Sequence, residues 1–243
     1  MKDSVFTVND NRMIARDVYR MELKGDTSQI SAPGQFVNIR IEGRFLRRPI
    51  SVCDKQDDTL VIIYKVAGDG TQDMSRMLPG KELDILTGLG HGYDLDESGE
   101  RPLLAGGGVG VPPLYWLCRQ LTQKGARPFV VLGFNRADEV FYEQEFKSLG
   151  ADVKVMTVDG SYGDKGFVTD GMNGIDYSYI YTCGPMPMLR AVNAAALTSG
   201  QFSFEVRMGC GFGACMGCSC HTLAGDKRIC TDGPVMRREE IIW

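Results

Sequence analysis

Hydrophobic and polar positions change rhythm twice along this chain. From Val5 to about Leu95 the apolar residues fall in short alternating runs. Phe36, Asn38 and Arg40 alternate with Val37, Ile39 and Ile41, and Leu83 and Ile85 alternate with charged neighbours. A period of two marks a strand with one face buried. Pro33-Gly34 and Pro79-Gly80 are turn signals set just before two of these strands. Residues 60–66 form a continuous β-rich run, the pattern of a more buried strand. An antiparallel barrel or sandwich is the expectation here.

After Arg101 strands and helices alternate. Residues 103–105 lead through a glycine loop into an apolar stretch at 114–121. Residues 129–134 then read as a strand, 139–149 as a helix, 153–158 and 177–182 as strands, and 186–197 as a helix. That order predicts a parallel α/β nucleotide-binding layout. From about Gln201 the chain becomes rich in glycine and cysteine. The expected organisation is therefore a multi-module α/β plus β chain: a β-barrel over 1–98, an α/β domain over 99–200 and a small C-terminal module over 201–243.

Composition narrows the classes. A chain of 243 residues with 43% hydrophobic and 24% charged residues has room for a sizeable core and gives no reason to expect disorder. The net charge of −4 and the pI near 5.3, with no long basic run, argue against a nucleic-acid partner. Eight cysteines are too few for a disulfide scaffold of this length, which points to a reducing, cytoplasmic setting. No apolar core segment follows Met1-Lys2-Asp3, so no signal peptide is expected. The longest uncharged run, 102–118, is broken by glycines and prolines, and no membrane span is expected.

The tail carries the most specific chemistry. Cys210, Cys215, Cys218 and Cys230 form a C-x4-C-x2-C…C run, the spacing with which plant-type ferredoxins ligate a [2Fe–2S] cluster. Glycines at 209, 211, 213 and 217 let the backbone come close to such a cluster. A four-Cys zinc site is the alternative, but zinc ribbons usually pair two C-x2-C knuckles, and one is present. Cys220 reads as a small buried residue.

Upstream motifs suggest two more sites. Arg48-Pro49-Ile50-Ser51 offers a guanidinium suited to a pyrophosphate and a hydroxyl able to bond a flavin nitrogen. Gly70, Thr71 and Ser75 lie at a short helix whose first amides can hold phosphate oxygens. Gly107, Gly108 and Gly110, in the run GGGVGVPP, stand between a strand and a helix, where a glycine loop sets a pyrophosphate against helix amides. Cys183, Gly184 and Pro185 sit at a strand end, where ligands of open α/β sheets collect. Asp159, at another, could accept from a ribose diol and repel a 2′-phosphate, favouring NAD over NADP. Ser51 and Cys183 are the candidate catalytic residues. His91 and His221, the only histidines, have no nucleophile arrangement beside them, so hydrolysis has no visible machinery.

In order, RPIS, GTQDMS, GGGVGVPP, CGP and the cysteine run resemble the ferredoxin reductase family, most closely its electron transfer subunits of NAD-linked dihydroorotate dehydrogenase. The resemblance covers nearly the whole chain. It implies FAD on the barrel, NAD(H) on the α/β domain and a [2Fe–2S] cluster in the tail. It matches Arg48 to Ser51 to the flavin motif, with Ile50 in place of its aromatic. It also sets Ile63, Tyr64 and Lys65 on the next flavin-contacting strand and Gly70 and Thr71 at the phosphate turn. The implied partner is an FMN-bearing catalytic subunit, in a heterotetramer of two of each. The flavin subunit of a ferredoxin–NAD(P) oxidoreductase or transhydrogenase, or of a hydrogenase, looks alike in every motif. A structural metal module on a degenerate reductase is the remaining alternative.

Overall fold

The computed structural model describes residues 1–243. Six strands, β1 (Lys2–Ala15), β2 (Val18–Gly25), β3 (Phe36–Ile39), β4 (Arg48–Gln56), β5 (Thr59–Lys65) and β6 (Glu82–Leu89), close into an antiparallel barrel in the order β1-β2-β5-β4-β3-β6. Helix α1 (Asp69–Ser75) lies between β5 and β6. Period-two patterning drives the closure. On β6 Leu83 and Ile85 point inward and join Phe6, Met21, Leu23, Val37 and Ile62 in one buried cluster, while Leu89 at the strand's end packs with Phe36 against the second sheet and the tail. Closure gives every strand a paired neighbour on both sides, though the pairing of β4 with β5 is partial.

The second layer is a seven-stranded sheet in the order β10-β9-β8-β7-β11-β12-β15. Its strands are β7 (Leu103–Gly107), β8 (Phe129–Phe134), β9 (Asp152–Thr157), β10 (Asp164–Lys165), β11 (Ile180–Gly184) and β12 (Gly200–Phe204), all parallel, with the later β15 (Val235–Arg237) antiparallel at one edge. Helices α2 (Pro112–Gln123), α3 (Glu143–Ser148), α4 (Val168–Met172) and α5 (Met186–Ala195) form the crossovers. A hairpin of β13 (Ser219–Thr222) and β14 (Gly225–Arg228) completes the tail. The expected barrel and parallel sheet are both present. β15 adds that the tail is stitched into the sheet rather than appended to it.

The two layers share a core. Trp116 of α2 is 4% exposed and belongs to the barrel's apolar cluster, while Val18, Cys53, Val61 and Ile63 of the barrel pack with Leu114, Leu117 and Leu121 of α2. Burying a large side chain of this kind contributes about 1.5–3 kcal/mol. Arg119 adds a polar tie, donating to the Asp54 carboxylate and the Lys55 carbonyl on β4.

Three elements differ from their sequence pattern. The helix expected over 139–149 begins only at Glu143, because Phe141 and Tyr142 are buried in an aromatic cluster with Phe134 and Tyr115, and Tyr142 takes φ 66°. Burial of these rings outweighs helix propensity. The strand expected from Tyr177 begins at Ile180, since the Tyr177 hydroxyl accepts from the Leu197 amide and Ser178 bonds Ser98 and Arg101. Strand β3 stops at Ile39 and is buried on both faces, Asn38 included.

Candidate functional site

The first four residues of β4 are Arg48, Pro49, Ile50 and Ser51, all half-buried before the strand runs into the core at Val52. They pair with β3 in the register Ile39↔Arg48 to Phe36↔Ser51. The ladder between β4 and β5, however, starts only at Val52↔Ile62. Beyond it the start of β4 and the end of β5, residues 63–65, part from each other. The barrel wall therefore opens into a slot beside Arg48 and Ser51. Ile63 and Tyr64 turn their side chains into apolar clusters, the Tyr64 hydroxyl donating to Asn11 at 2.9 Å, so these two offer main chain only. Lys65 stays exposed, 3.9 Å from Glu139.

Arg48 lies against Gly70 on α1. A Cβ at Gly70 would fall 2.2 Å from Nε and 2.6 Å from Cζ, so the guanidinium occupies the space a side chain would fill. Thr71 spends its hydroxyl inside the turn, accepting from Ala67 and Gly68, and Ser75 is engaged with Gln72. Guanidinium, helix start and slot lie together, and this donor set fits a flavin dinucleotide. The missing side chain at Gly70 gives the guanidinium its seat.

A cavity of about 560 Å³ opens at the C-terminal ends of the parallel strands. Gly107, Gly108, Pro185 and Lys65 line it, together with Asn135, Glu139, Phe167 and Glu205. Strand ends of an open parallel sheet are where nucleotides bind. Gly108 takes φ 54° with nothing near its missing Cβ, so its backbone is bare toward the cavity. Gly110 plays a different part from the one its motif suggests. A Cβ there would lie 2.3 Å from the Cys183 carbonyl, so it serves the packing of the loop on β11.

Cys183 is 1% exposed and its side chain lies in the core cluster, while Gly184 and Pro185 carry the chain to the cavity rim. Burial, reinforced by Glu205, pushes the Cys183 thiol well above its ordinary pKa. Asp159 follows β9 on the surface, its carboxylate accepting from the Ser161 amide at 2.9 Å and from its hydroxyl, and these bonds lower its pKa. Glu205 has no counterpart in the sequence reading. It directly follows the last β11–β12 pair, Gly184↔Phe204, and lines the cavity as an exposed residue; desolvation raises its pKa. The strand-end rule that picked out Cys183 would have found it had β12 been recognised.

In the tail the four cysteines come together two by two. The Cys210 amide donates to Cys215 Sγ at 3.4 Å, and the Cys230 amide donates to Cys218 Sγ at 3.4 Å. Cys218 and Cys230 are buried, Cys210 is half-buried and Cys215 exposed. Phe212 and Ala214 amides also point at Cys210 Sγ, at 3.5 and 3.2 Å. Burial works against the Cys210 thiolate, but these amides and Cys215 outweigh it and bring the pKa down to about 6. Burial and the neighbouring Cys218 push Cys230 up to about 12. No three Cys, His or acidic side chains converge as on one metal ion. Two pairs suit a [2Fe–2S] cluster, in which each iron takes two thiolates, and the residues fit that group. Gly211 and Gly213, at φ 78° and 94°, allow the loop its tight course. Cys220 is half-buried and apart from these bonds.

An antiparallel barrel with a cationic slot, joined to a parallel sheet with a strand-end cavity and ending in paired thiols, defines a reductase of ferredoxin reductase type with an iron–sulfur module. Residues 104–194 match the oxidoreductase NAD-binding domain family, and 205–242 match the iron–sulfur cluster binding domain of dihydroorotate dehydrogenase B. Over 99% of its length the chain is 44% identical to the dihydroorotate dehydrogenase B (NAD(+)) electron transfer subunit of Fusobacterium nucleatum, of which it covers 99%. It is likewise 44% identical to that of Shouchella clausii, covering 98% of it. The chain belongs to this family of electron transfer subunits. Among solved structures it is similar to an NADH-dependent reduced ferredoxin-NADP oxidoreductase, with a TM-score of 0.88 and 29% identity over 98% of this chain and 90% of that one. A cytochrome P450 reductase from Amycolatopsis shares the fold, at a TM-score of 0.69 and 22% identity over 80% of this chain and 65% of that one. No helix is long and apolar enough to cross a membrane.

Proposed function

We propose that this chain carries electrons between NAD and a catalytic subunit that oxidises dihydroorotate at FMN, with FAD in the barrel slot, NAD(H) in the strand-end cavity and a [2Fe–2S] cluster on Cys210, Cys215, Cys218 and Cys230. The observation that carries the reading is the pairing of Cys210 with Cys215 and of Cys218 with Cys230, downstream of a reductase fold. Flavin, when bound, supplies the exchange between the two-electron chemistry of a nicotinamide and the one-electron chemistry of a cluster.

The protein's own groups do the holding. Arg48, seated on Gly70, would hold the pyrophosphate and Ser51 would hydrogen-bond the flavin, with the main chain of Ile63, Tyr64 and Lys65 on the other wall of the slot. The bare backbone of Gly108, beside Gly107, would take the dinucleotide's phosphates, and Pro185, which follows Gly184, would stand at the rim toward its nicotinamide. Cys183 acts from beneath as a neutral wall, its thiol held protonated by burial. Asp159 favours a ribose diol over a 2′-phosphate. Amides around Cys210 stabilise thiolate charge, the usual means by which a protein tunes such a centre. The division into 1–98, 99–200 and 201–243 follows these three tasks, with β12 and β15 binding the last two together.

A reducing, cytoplasmic location suits a chain whose tail sets four of its eight cysteines as cluster ligands. We assign the assembly as two copies of each subunit. The test is reconstitution with the FMN-bearing catalytic chain: the complex should reduce NAD⁺ with dihydroorotate, and the catalytic chain alone should not. Recovery from cells with a glutamate-synthase-like large subunit instead would favour the transhydrogenase reading.

A further inference from the structure

Asn38 is 1% exposed in the middle of β3, where its sequence pattern would have turned a polar side chain to solvent. Its position joins the two redox sites. Across the barrel ladder it pairs with Pro49, between Arg48 and Ile50 of the slot. On its other side its Nδ2 donates to the carbonyl of Cys210, at 2.9 Å, a contact spanning 172 residues of chain. The partner is a carbonyl oxygen, so the amide nitrogen must face the loop. Gly211 folds directly over it: a Cβ at Gly211, whose φ is 78°, would lie 2.5 Å from the same Nδ2.

The main chain of Asn38 is itself braced. Arg47 Nη1 donates to the Asn38 carbonyl at 3.3 Å and to the carbonyl and carboxylate of Asp84 on β6, at 3.1 and 2.8 Å. Asn38 Oδ1 is buried with no hydrogen-bond partner. An unmatched buried amide oxygen weakens the fold, and an aliphatic residue would suit this core better. A polar side chain kept there at a cost to stability points to a role outside folding.

We propose that Asn38 is a positioning residue that fixes the Cys210 end of the cluster loop against β3, the strand paired with flavin-bearing β4, and so sets how well electrons pass between the two centres. The proposal rests on the cofactor assignments above. Its mechanism is mechanical and electrostatic. A braced strand holds a short amide, the amide holds the first ligand's carbonyl, and Gly211 closes over the contact. Without Nδ2 the loop from Cys210 to Ala214 keeps its thiolate but loses its only side-chain hydrogen bond to β3.

The test uses the FAD- and cluster-loaded chain with Asn38→Leu. Each NADH delivers two electrons, which reduce one flavin, and each cluster then takes one electron from it. Flavin and iron content, and the rate at which NADH bleaches the flavin, should match the native chain, and the melting temperature should fall by no more than about 4 °C. The cluster's reduction from flavin should slow about tenfold, and the electron paramagnetic resonance spectrum of the reduced cluster should change shape. A double-mutant cycle separates this contact from general damage. Gly211→Ala should impair the native chain strongly and the Asn38→Ala chain much less, the non-additivity expected of touching groups. Native transfer rates with an unchanged spectrum in Asn38→Leu, or simple additivity in the cycle, would overturn the proposal. If the native chain itself holds no cluster that NADH can reduce, it is the functional reading that fails.

Discussion

Gly70→Ala separates binding from folding at the flavin slot. A methyl group at this position would stand 2.2 Å from Arg48 Nε, whereas ordinary contacts begin at 3.4 Å, so the guanidinium must retreat by more than an ångström. Such a retreat breaks a hydrogen bond whose useful range is only about 2.7–3.2 Å. A charge-assisted bond to a phosphate contributes about 1.5–3 kcal/mol, which corresponds to about 10- to 100-fold in FAD affinity. Folding responds in the other direction. The displaced group is the flexible end of a half-buried arginine, and alanine in a helix is favoured over glycine by up to about 1 kcal/mol. Fluorescence titration of flavin-depleted protein with FAD, paired with thermal unfolding of the same samples, should therefore show weaker binding at undiminished stability. Native affinity would refute the role given to Arg48. A large loss of stability would show that Gly70 serves packing, as Gly110 does, where Ala would meet the immovable carbonyl of Cys183.

Cys218→Ser should abolish the cluster while NADH still bleaches the flavin, which iron analysis and stopped-flow absorbance would check; loss of flavin reduction too would undo the modular picture. Arg119→Met leaves the Asp54 carboxylate buried without its partner and should cost about 3 kcal/mol in urea unfolding, most of it recovered by adding Asp54→Asn. Desolvation at the cavity wall raises the folded-state pKa of Glu205, so the native fold holds that proton more tightly than the unfolded chain. Its stabilising effect is full below the unfolded value near 4.5 and is lost as pH rises through the folded value. Melting curves across pH should show Glu205→Gln gaining on the native chain over that window, and parallel curves would contradict it.

Much of this architecture is legible because local pattern and tertiary fate agree. Alternation on β6 and the strand over Phe129–Phe134 follow directly from the residues, as does the glycine loop after β7. The cysteine spacing shows the ligands, because ligation to a two-iron centre is a constraint on sequence distance as well as on space. Legibility ends where long-range contacts take over. Asn38 reads as an outward polar position, yet the cluster loop, over 170 residues later, buries it. Phe141 and Tyr142 read as helix, yet the rings of Tyr115 and Phe134 draw them into a turn. Cys183 reads as a strand-end ligand group, yet only its neighbours reach the cavity. Glu205 was hidden because its strand, β12, precedes a glycine-rich tail whose composition masks the period of the sheet.

The central claim is that one chain joins a flavin that NADH reduces to a four-cysteine iron–sulfur cluster. Anaerobic titration of the purified chain with NADH, followed by visible absorbance and by electron paramagnetic resonance at low temperature, tests it most directly. Flavin absorbance should bleach, and the signal of a reduced [2Fe–2S] cluster should then appear. A chain that binds zinc in place of iron, or whose flavin stays oxidised under NADH, would contradict it.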